Sequence, residues 1–206
     1  MGSSIKRPDI IKYMNRYSKK GLIHVGANAG QERGIYNALG KDILWIEPDP
    51  NVFKKLKKNI SKFPRQNALC ALILDSVEDV SFNISKRTGR SSAFEFTSHH
   101  FSDSSFEMDG SKVMSPIRLD SIDISDYDAL ITDTQGADLN VVKSLGDKID
   151  NFNIIICEVM IKEIYKGIYL EKDINQYMLN KGFKLITNCE YRIKNTQRDN
   201  VYVREA

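Results

Sequence analysis

No apolar run in the 206 residues approaches the roughly 20 needed to cross a bilayer, which excludes a helical membrane span. Charge of one sign is also missing. The formal net charge is +3, from 30 Lys and Arg against 27 Asp and Glu spread along the chain, too little to mark a nucleic-acid surface. Cysteine is scarce: Cys70, Cys157 and Cys189 are odd in number, widely spaced and set among apolar neighbours. No basic-then-apolar leader opens the chain, so reduced, buried thiols in a soluble cytoplasmic protein are expected. There are no internal repeats, no dinucleotide fingerprint Gly-x-Gly-x-x-Gly, and no phosphate loop with its Lys. The remaining composition, 41% apolar and 28% charged, is that of a globular α/β protein, expected as one domain over 1–206 with an N-terminal helix inside 1–20.

What is present centres on Leu22-Ile23-His24-Val25-Gly26-Ala27-Asn28-Ala29-Gly30, an apolar run that ends abruptly in small residues. Helical spacing follows from Gln31 to Leu39 and stops at Gly40. This predicts a strand, a tight turn and a helix. Gly26, Ala27 and Gly30 let backbone approach a ligand closely, and Asn28 tolerates a left-handed conformation nearly as well as Gly. About 20 residues on, Ile43-Leu44-Trp45-Ile46 ends in Glu47 with Pro48 behind it, and an acid at the tip of the second strand is where nucleotide-binding α/β folds hold a ribose diol.

Elsewhere, Asp9 can cap the first helix. Asp49-Pro50 can start another, with Val52, Phe53, Leu56 and Ile60 on its inner face and Lys54, Lys55, Lys57 and Lys58 on a solvated one. Ala68 to Leu74 reads as a third strand ending in Asp75, near where an adenine amino group would be met, and Asp79 to Ser85 as a short additional strand. From Ser85 to Pro116 periodicity disappears, which predicts a lid or substrate loop, with Ser91, Ser92 and His99 as acceptor contacts. His99-His100 lack a third ligand at metal spacing, so a metal requirement is left open. Ala129 to Thr132 reads as the fourth strand, ending in Asp133, and Asn153 to Cys157 as the fifth, ending in Glu158.

Four acids at strand ends, Glu47, Asp75, Asp133 and Glu158, suit a cationic or hydroxyl-rich ligand better than a pyrophosphate. S-adenosylmethionine combines a sulfonium, a ribose and an adenine without phosphate. Asp133 is the candidate base, with Gln135 and Glu158 as further substrate contacts. A nicotinamide-dependent reductase is the competing enzyme class, since Tyr177 to Lys181 has Tyr-x-x-x-Lys spacing. Tyr177 falls on an apolar helix face, however, and the fingerprint is missing.

Five stretches together resemble the FkbM-type S-adenosylmethionine-dependent methyltransferases from about Gly21 onward: Ile23 to Gly30, Ile46 to Pro50, Arg118 to Ile122, Asp133 to Asp138, and Cys157-Glu158-Val159 with Tyr165 downstream. The resemblance implies a Rossmann-like class I fold, a mostly parallel seven-stranded sheet with an antiparallel last strand and helices on both faces. It also implies methyl transfer to a sugar or small-metabolite hydroxyl. The chain departs from the family where His24 replaces Asp, Thr132 replaces Lys, and Asp-Thr-Gln-Gly-Ala-Asp replaces Asp-Val-Glu-Gly-x-Glu. His24 reads first as a satisfied core histidine and second as a contact with cofactor or substrate, and the departures leave a binding module without turnover as a third reading of function.

Overall fold

The computed structural model describes residues 7–87, 89–97, 107–188 and 196–204. Nine strands and five α-helices alternate along them: α1 (Arg7–Tyr17), β1 (Gly21–Val25), α2 (Arg33–Asn37), β2 (Ile43–Ile46), α3 (Pro50–Ile60), β3 (Gln66–Leu69), β4 (Val80–Ser85), β5 (Met108–Met114), β6 (Tyr127–Thr132), α4 (Asp138–Lys143), β7 (Ile154–Met160), α5 (Glu171–Asn180), β8 (Phe183–Asn188) and β9 (Gln197–Arg204). Seven strands form one sheet in the order β3-β2-β1-β6-β7-β9-β8. β1, β2, β3, β6 and β7 are parallel, and β9 runs antiparallel to both β7 and β8.

Alternation along the central strands splits the core in two. Leu22, Ile43, Trp45, Ala129 and Ile131 face Met14 of α1, Tyr36 of α2 and Leu56 and Ile60 of α3. Ile23, Val25, Ile46 and Leu130 face Leu139 and Val142 of α4 and Ile174 and Met178 of α5. Strands buried on both faces need no polar side, which is why β1 and β7 are buried at every position. Strand order reverses between β1 and β6, so the crevice beyond Val25 and Thr132 is the topological switch point.

Several elements differ from expectation. α1 begins at Arg7, with Asp9 inside it, and α2 covers only Arg33–Asn37. β3 pairs with β2 through Gln66–Leu69 and then leaves the sheet, so Asp75 stands at no strand tip. Leu72 and Leu74 are buried all the same, packed against Phe82 of β4. The segment from Ser85 to Pro116 contains β5, antiparallel to β4 in a separate two-stranded ribbon. β5 is exposed over most of its length and is held by backbone hydrogen bonds, so it carries no apolar alternation to read. β7 continues through Met160, leaving Glu158 within the strand. Cys157 is buried as expected, Cys70 is exposed because β3 is an edge strand, and Cys189 lies outside the described residues.

The N-terminal helix is fixed by one buried acid. Asp128 of β6 is 2% exposed and accepts hydrogen bonds from Ser18 Oγ (2.7 Å), Lys19 N (2.7 Å) and Asn153 Nδ2 (3.0 Å). Asp128→Ala would strand three donors that each bond a charged acceptor, so a loss of about 3 kcal/mol or more is expected in urea unfolding. Asp128→Asn, which keeps one acceptor oxygen, should lose less.

Candidate functional site

The turn after β1 is shaped by its small residues. Gly26 N and Ala27 N both donate to Ile46 O at 3.0 Å, and φ is positive at Gly26 (82°), Asn28 (47°) and Gly30 (68°). A Cβ on Gly26 would lie 1.9 Å from Asp133 O, so only glycine lets β1 and β6 end this close together. Glu47 joins this turn to the next. Its Oε2 accepts from Asn28 N at 2.8 Å and its Oε1 from Asp49 N at 3.0 Å. Asp49 in turn caps α3, accepting from Asn51 N at 2.8 Å ahead of Pro50. Glu47 is 7% exposed, and burial raises its carboxyl to about 7 against the pull of the two backbone N–H groups, with Asp49 and Asp133 adding to the rise.

Across the switch point, Asp133 Oδ1 accepts from Gln135 Nε2 at 3.0 Å. Gln135 has a positive φ of 53°, which turns its side chain back under the strand ends. The same Nε2 donates to Glu158 Oε2 at 2.8 Å, while Gln135 Oε1 accepts from Tyr165 Oη at 3.0 Å. The second oxygen of Glu158 accepts from Gln197 Nε2. Asp138, buried at the start of α4, is raised to about 7 by burial first, against the Thr132 hydroxyl beside it.

These groups enclose a cavity of about 360 Å³. Gly26, Ala27, Asn28, Glu47 and Pro48 form one wall, Asp133, Thr134 and Gln135 another, and Ala71 to Ile73 the floor between β2 and the ribbon. Phe82, Gly89, Ser91 and Ala93 cover it. A Cβ on Gly89 would lie 2.8 Å from Asn28 Nδ2, so the segment after β4 crosses directly over the glycine turn. The cavity size is that of small-molecule sites, roughly 300 to 1,000 Å³.

Of the residues singled out from the sequence, Gly26, Ala27, Asn28, Glu47, Pro48, Ser91, Asp133 and Gln135 therefore meet in one place. Gly30 lies a step further on, against Leu56. Asp75 does not line the cavity: its Oδ1 accepts from Asn140 Nδ2 at 2.8 Å and its carbonyl from Arg118 Nη1 at 2.7 Å. Ser92 is fully buried, with its Oγ donating to Gln135 O at 2.8 Å. Glu158, 1% exposed in the middle of β7, meets Gln135 and Gln197 rather than the cavity. His99 lies outside the described residues.

His24, read second as a cofactor or substrate contact, lines the cavity, and sequence reasoning missed Glu32, Thr134 and the floor at Ala71 to Ile73, which line it too. Thr134 had a signal, standing between Asp133 and Gln135. Among the described residues no group of three or more His, Cys, Asp or Glu could hold a metal ion, and no helix is long and apolar enough to cross a membrane. Tyr177 packs partly buried against the sheet and is absent from the lining, which removes the structural basis for a reductase.

The sheet order and the site at its switch point define a Rossmann-like class I methyltransferase. The chain is similar in fold to a putative RNA methyltransferase from Pyrococcus horikoshii (TM-score 0.56, 10% identity, covering 97% of this chain and 83% of that one). It is likewise similar to the magnesium protoporphyrin IX methyltransferase of Synechocystis PCC 6803 with bound S-adenosylmethionine (0.55, 10%, 97% and 78%) and to the precorrin-6y C5,15-methyltransferase of Geobacter metallireducens (0.54, 11%, 98% and 94%). At such identities the likeness shows the fold alone. Residues 24–185 match the methyltransferase FkbM domain, and the chain belongs to that family of S-adenosylmethionine-dependent methyltransferases. None of the curated proteins matches the chain significantly.

The cavity fits this cofactor. Among the described residues its lining holds three carboxylates, Glu32, Glu47 and Asp133, and no Lys or Arg, which suits a sulfonium and a diol and would repel a phosphate. With Glu47 proposed as the acceptor for the ribose hydroxyls, a role its ionised form fills better, affinity for S-adenosylhomocysteine is expected to increase as pH rises through about 7 and then level off. In the ligand-free protein the sign is opposite: a carboxyl raised on folding costs stability as pH climbs from its unfolded value towards 7. Calorimetric titration across this range should show the rise in the wild type and none in Glu47→Gln. An equally steep profile in the variant would assign the titration to another group.

Proposed function

We propose that the protein methylates a hydroxyl of a sugar or other small metabolite, with Asp133 taking the hydroxyl proton. The observation that carries this reading is the position of Asp133: it lines the cavity at the end of β6, with one oxygen held by Gln135 at 3.0 Å. Among the described residues its other oxygen has no hydrogen bond, so a lone pair is free for an acceptor. S-adenosylmethionine, when bound, supplies an electrophilic methyl group on a positively charged sulfur. Glu47 holds its ribose diol, and Pro48 with Ala71 to Ile73 provides an apolar wall for adenine. Alignment of the two reactants does most of the work in such a displacement, and the base needs only to receive one proton.

Cover from the ribbon serves the same end. Phe82, Ser91 and Ala93 close the cavity on the side away from the sheet, where they exclude water and leave a hydroxyl partner at Ser91 for a polyhydroxylated acceptor. We read the segment 85–116 as carrying acceptor specificity, in a chain that forms one domain over 1–206 and works in the cytoplasm. A nucleic-acid acceptor is disfavoured because, among the described residues, no Lys or Arg lines the cavity and the lysines of α3 are exposed on its outer face.

One observation favours a binding module without turnover. Gln135 stands where the family has Glu, and its amide hydrogen bonds to Asp133, Glu158 and Tyr165 leave it no proton to exchange. The two readings separate on Asp133. With hydroxyl acceptors screened by S-adenosylhomocysteine release, Asp133→Asn should lower kcat by roughly 10² to 10⁴, the worth of a general base, because Asn can still accept from Gln135. Turnover undiminished in the variant would remove Asp133 from the chemistry. Cofactor binding with no turnover on any acceptor in the wild type would favour the binding module.

A further inference from the structure

His24 belongs to the core and to the cavity at once. It is 6% exposed, lines the cavity beside Gly26, and is held by a buried aromatic layer. Trp45 stacks on its ring (centroids 5.1 Å apart, 26° between planes), and Tyr36 stacks on Trp45 (4.9 Å, 21°). Trp45 Nε1 donates to Gln66 Oε1 at 3.1 Å, and Gln66 Nε2 donates to Arg33 O at 2.7 Å, so the layer is anchored at both β3 and the start of α2. Tyr36 Oη lies 3.0 Å from His24 Nδ1. Tyr36 is 1% exposed, and a buried hydroxyl has to place its proton on an acceptor. Nδ1 is the acceptor, which puts the imidazole proton on Nε2.

The cavity needs such a donor. Its three carboxylates suit the ammonium at the amino-acid end of S-adenosylmethionine but repel the carboxylate on the same carbon, and among the described residues no Lys or Arg lines the wall to offset that repulsion. A fixed N–H from a neutral ring can meet a carboxylate without competing for the ammonium's acids. Burial holds His24 below the ordinary histidine range, outweighing Glu32 and Asp133 nearby, so the ring is neutral when it does so.

We propose that His24 binds the carboxylate at the amino-acid end of the cofactor through Nε2–H, with Tyr36 as the positioning residue that sets the tautomer. This rests on the S-adenosylmethionine reading of the cavity. Three probes separate the contributions by calorimetry: S-adenosylhomocysteine, its decarboxylated analogue, and 5′-methylthioadenosine, which lacks the whole amino-acid end. His24→Leu should weaken S-adenosylhomocysteine about tenfold or more, the worth of a hydrogen bond to a charged group, and leave the other two probes nearly unchanged. Tyr36→Phe should reproduce part of that selective loss. His24→Gln, which keeps an N–H, should retain the preference for the carboxylate-bearing probe, and it carries the test together with Tyr36→Phe if the Leu variant does not fold. Equal weakening of all three probes would show a purely structural role and overturn the proposal. Failure of the wild type to bind any of them would overturn the cofactor reading, and this one with it.

Discussion

Two backbone N–H groups, from Asn28 and Asp49, share the buried carboxylate of Glu47, and the cavity takes its shape from that sharing. It joins the turn after β1 to the start of α3 where strand pairing between β1 and β2 has stopped at Val25 and Ile46, and Asn59 Nδ2 of α3 adds a second tie to Ala29 O at 2.8 Å. The arrangement also explains a tension in the site. Burial disfavours the charge that makes Glu47 a good acceptor, and the two N–H groups offset only part of that cost. A carboxylate already committed to two backbone donors has fewer lone pairs left for a ligand, but those it has are fixed in direction. Structural and ligand-binding roles therefore cannot be separated by removing the side chain. Alanine at 47 would leave two N–H groups unsatisfied as well as a ligand unheld.

Gln135 solves a similar problem on the other wall. Asp133 and Glu158 both lie within hydrogen-bond distance of its Nε2, so a glutamate at this position would put three carboxylates in contact with no donor between them. An amide has two N–H hydrogens for the two acids and an oxygen for Tyr165, which pairs one oxygen of each acid and both ends of the amide. The departure from the family pattern at this position is thus coherent with its neighbours. The departure at Thr132 has a matching one at Asp138, where Asp replaces the family's Glu. The short pair fits the buried space, but it leaves Asp138 with no cation beside it, and burial then holds its carboxyl near neutrality.

What could be read from the sequence and what could not follow from the kind of interaction involved. The switch-point strands announce themselves as apolar runs, the glycine turn by its small residues, and the α3 cap by Asp49-Pro50, because each is a local rule acting on adjacent residues. Glu47 was legible for the same reason. Asp75 was misplaced because Leu72 and Leu74 are buried by Phe82 of the ribbon rather than by sheet pairing, and burial alone does not say which partner supplies it. Glu158 and Ser92 looked like site residues from their types, yet both serve Gln135 through contacts 23 and 43 residues apart in sequence. His24 was read as a core histidine, which is half of the truth: only the three-dimensional layer of Tyr36 and Trp45 shows that one edge of the ring is secured while the residue borders the cavity.

The ribbon follows a different logic from the sheet beneath it. β5 is exposed along most of its length and is joined to β4 by main-chain hydrogen bonds, so its side chains are under little packing constraint. The cavity walls at the ends of β1 and β6, by contrast, follow strands that are buried at nearly every position. The cover meets the sheet side through Ser92 Oγ on Gln135 O at 2.8 Å, Thr97 N on Ile164 O at 3.0 Å, the approach of Gly89 to Asn28, and the packing of Phe94 and Phe96 against Ile164 and Tyr165. Two of those points use backbone on both sides or a glycine, so they tolerate change in the intervening side chains. Exposed side chains of the cover can therefore vary while the turn that carries Gly26 and the carboxylate of Glu47 keep their hydrogen bonds.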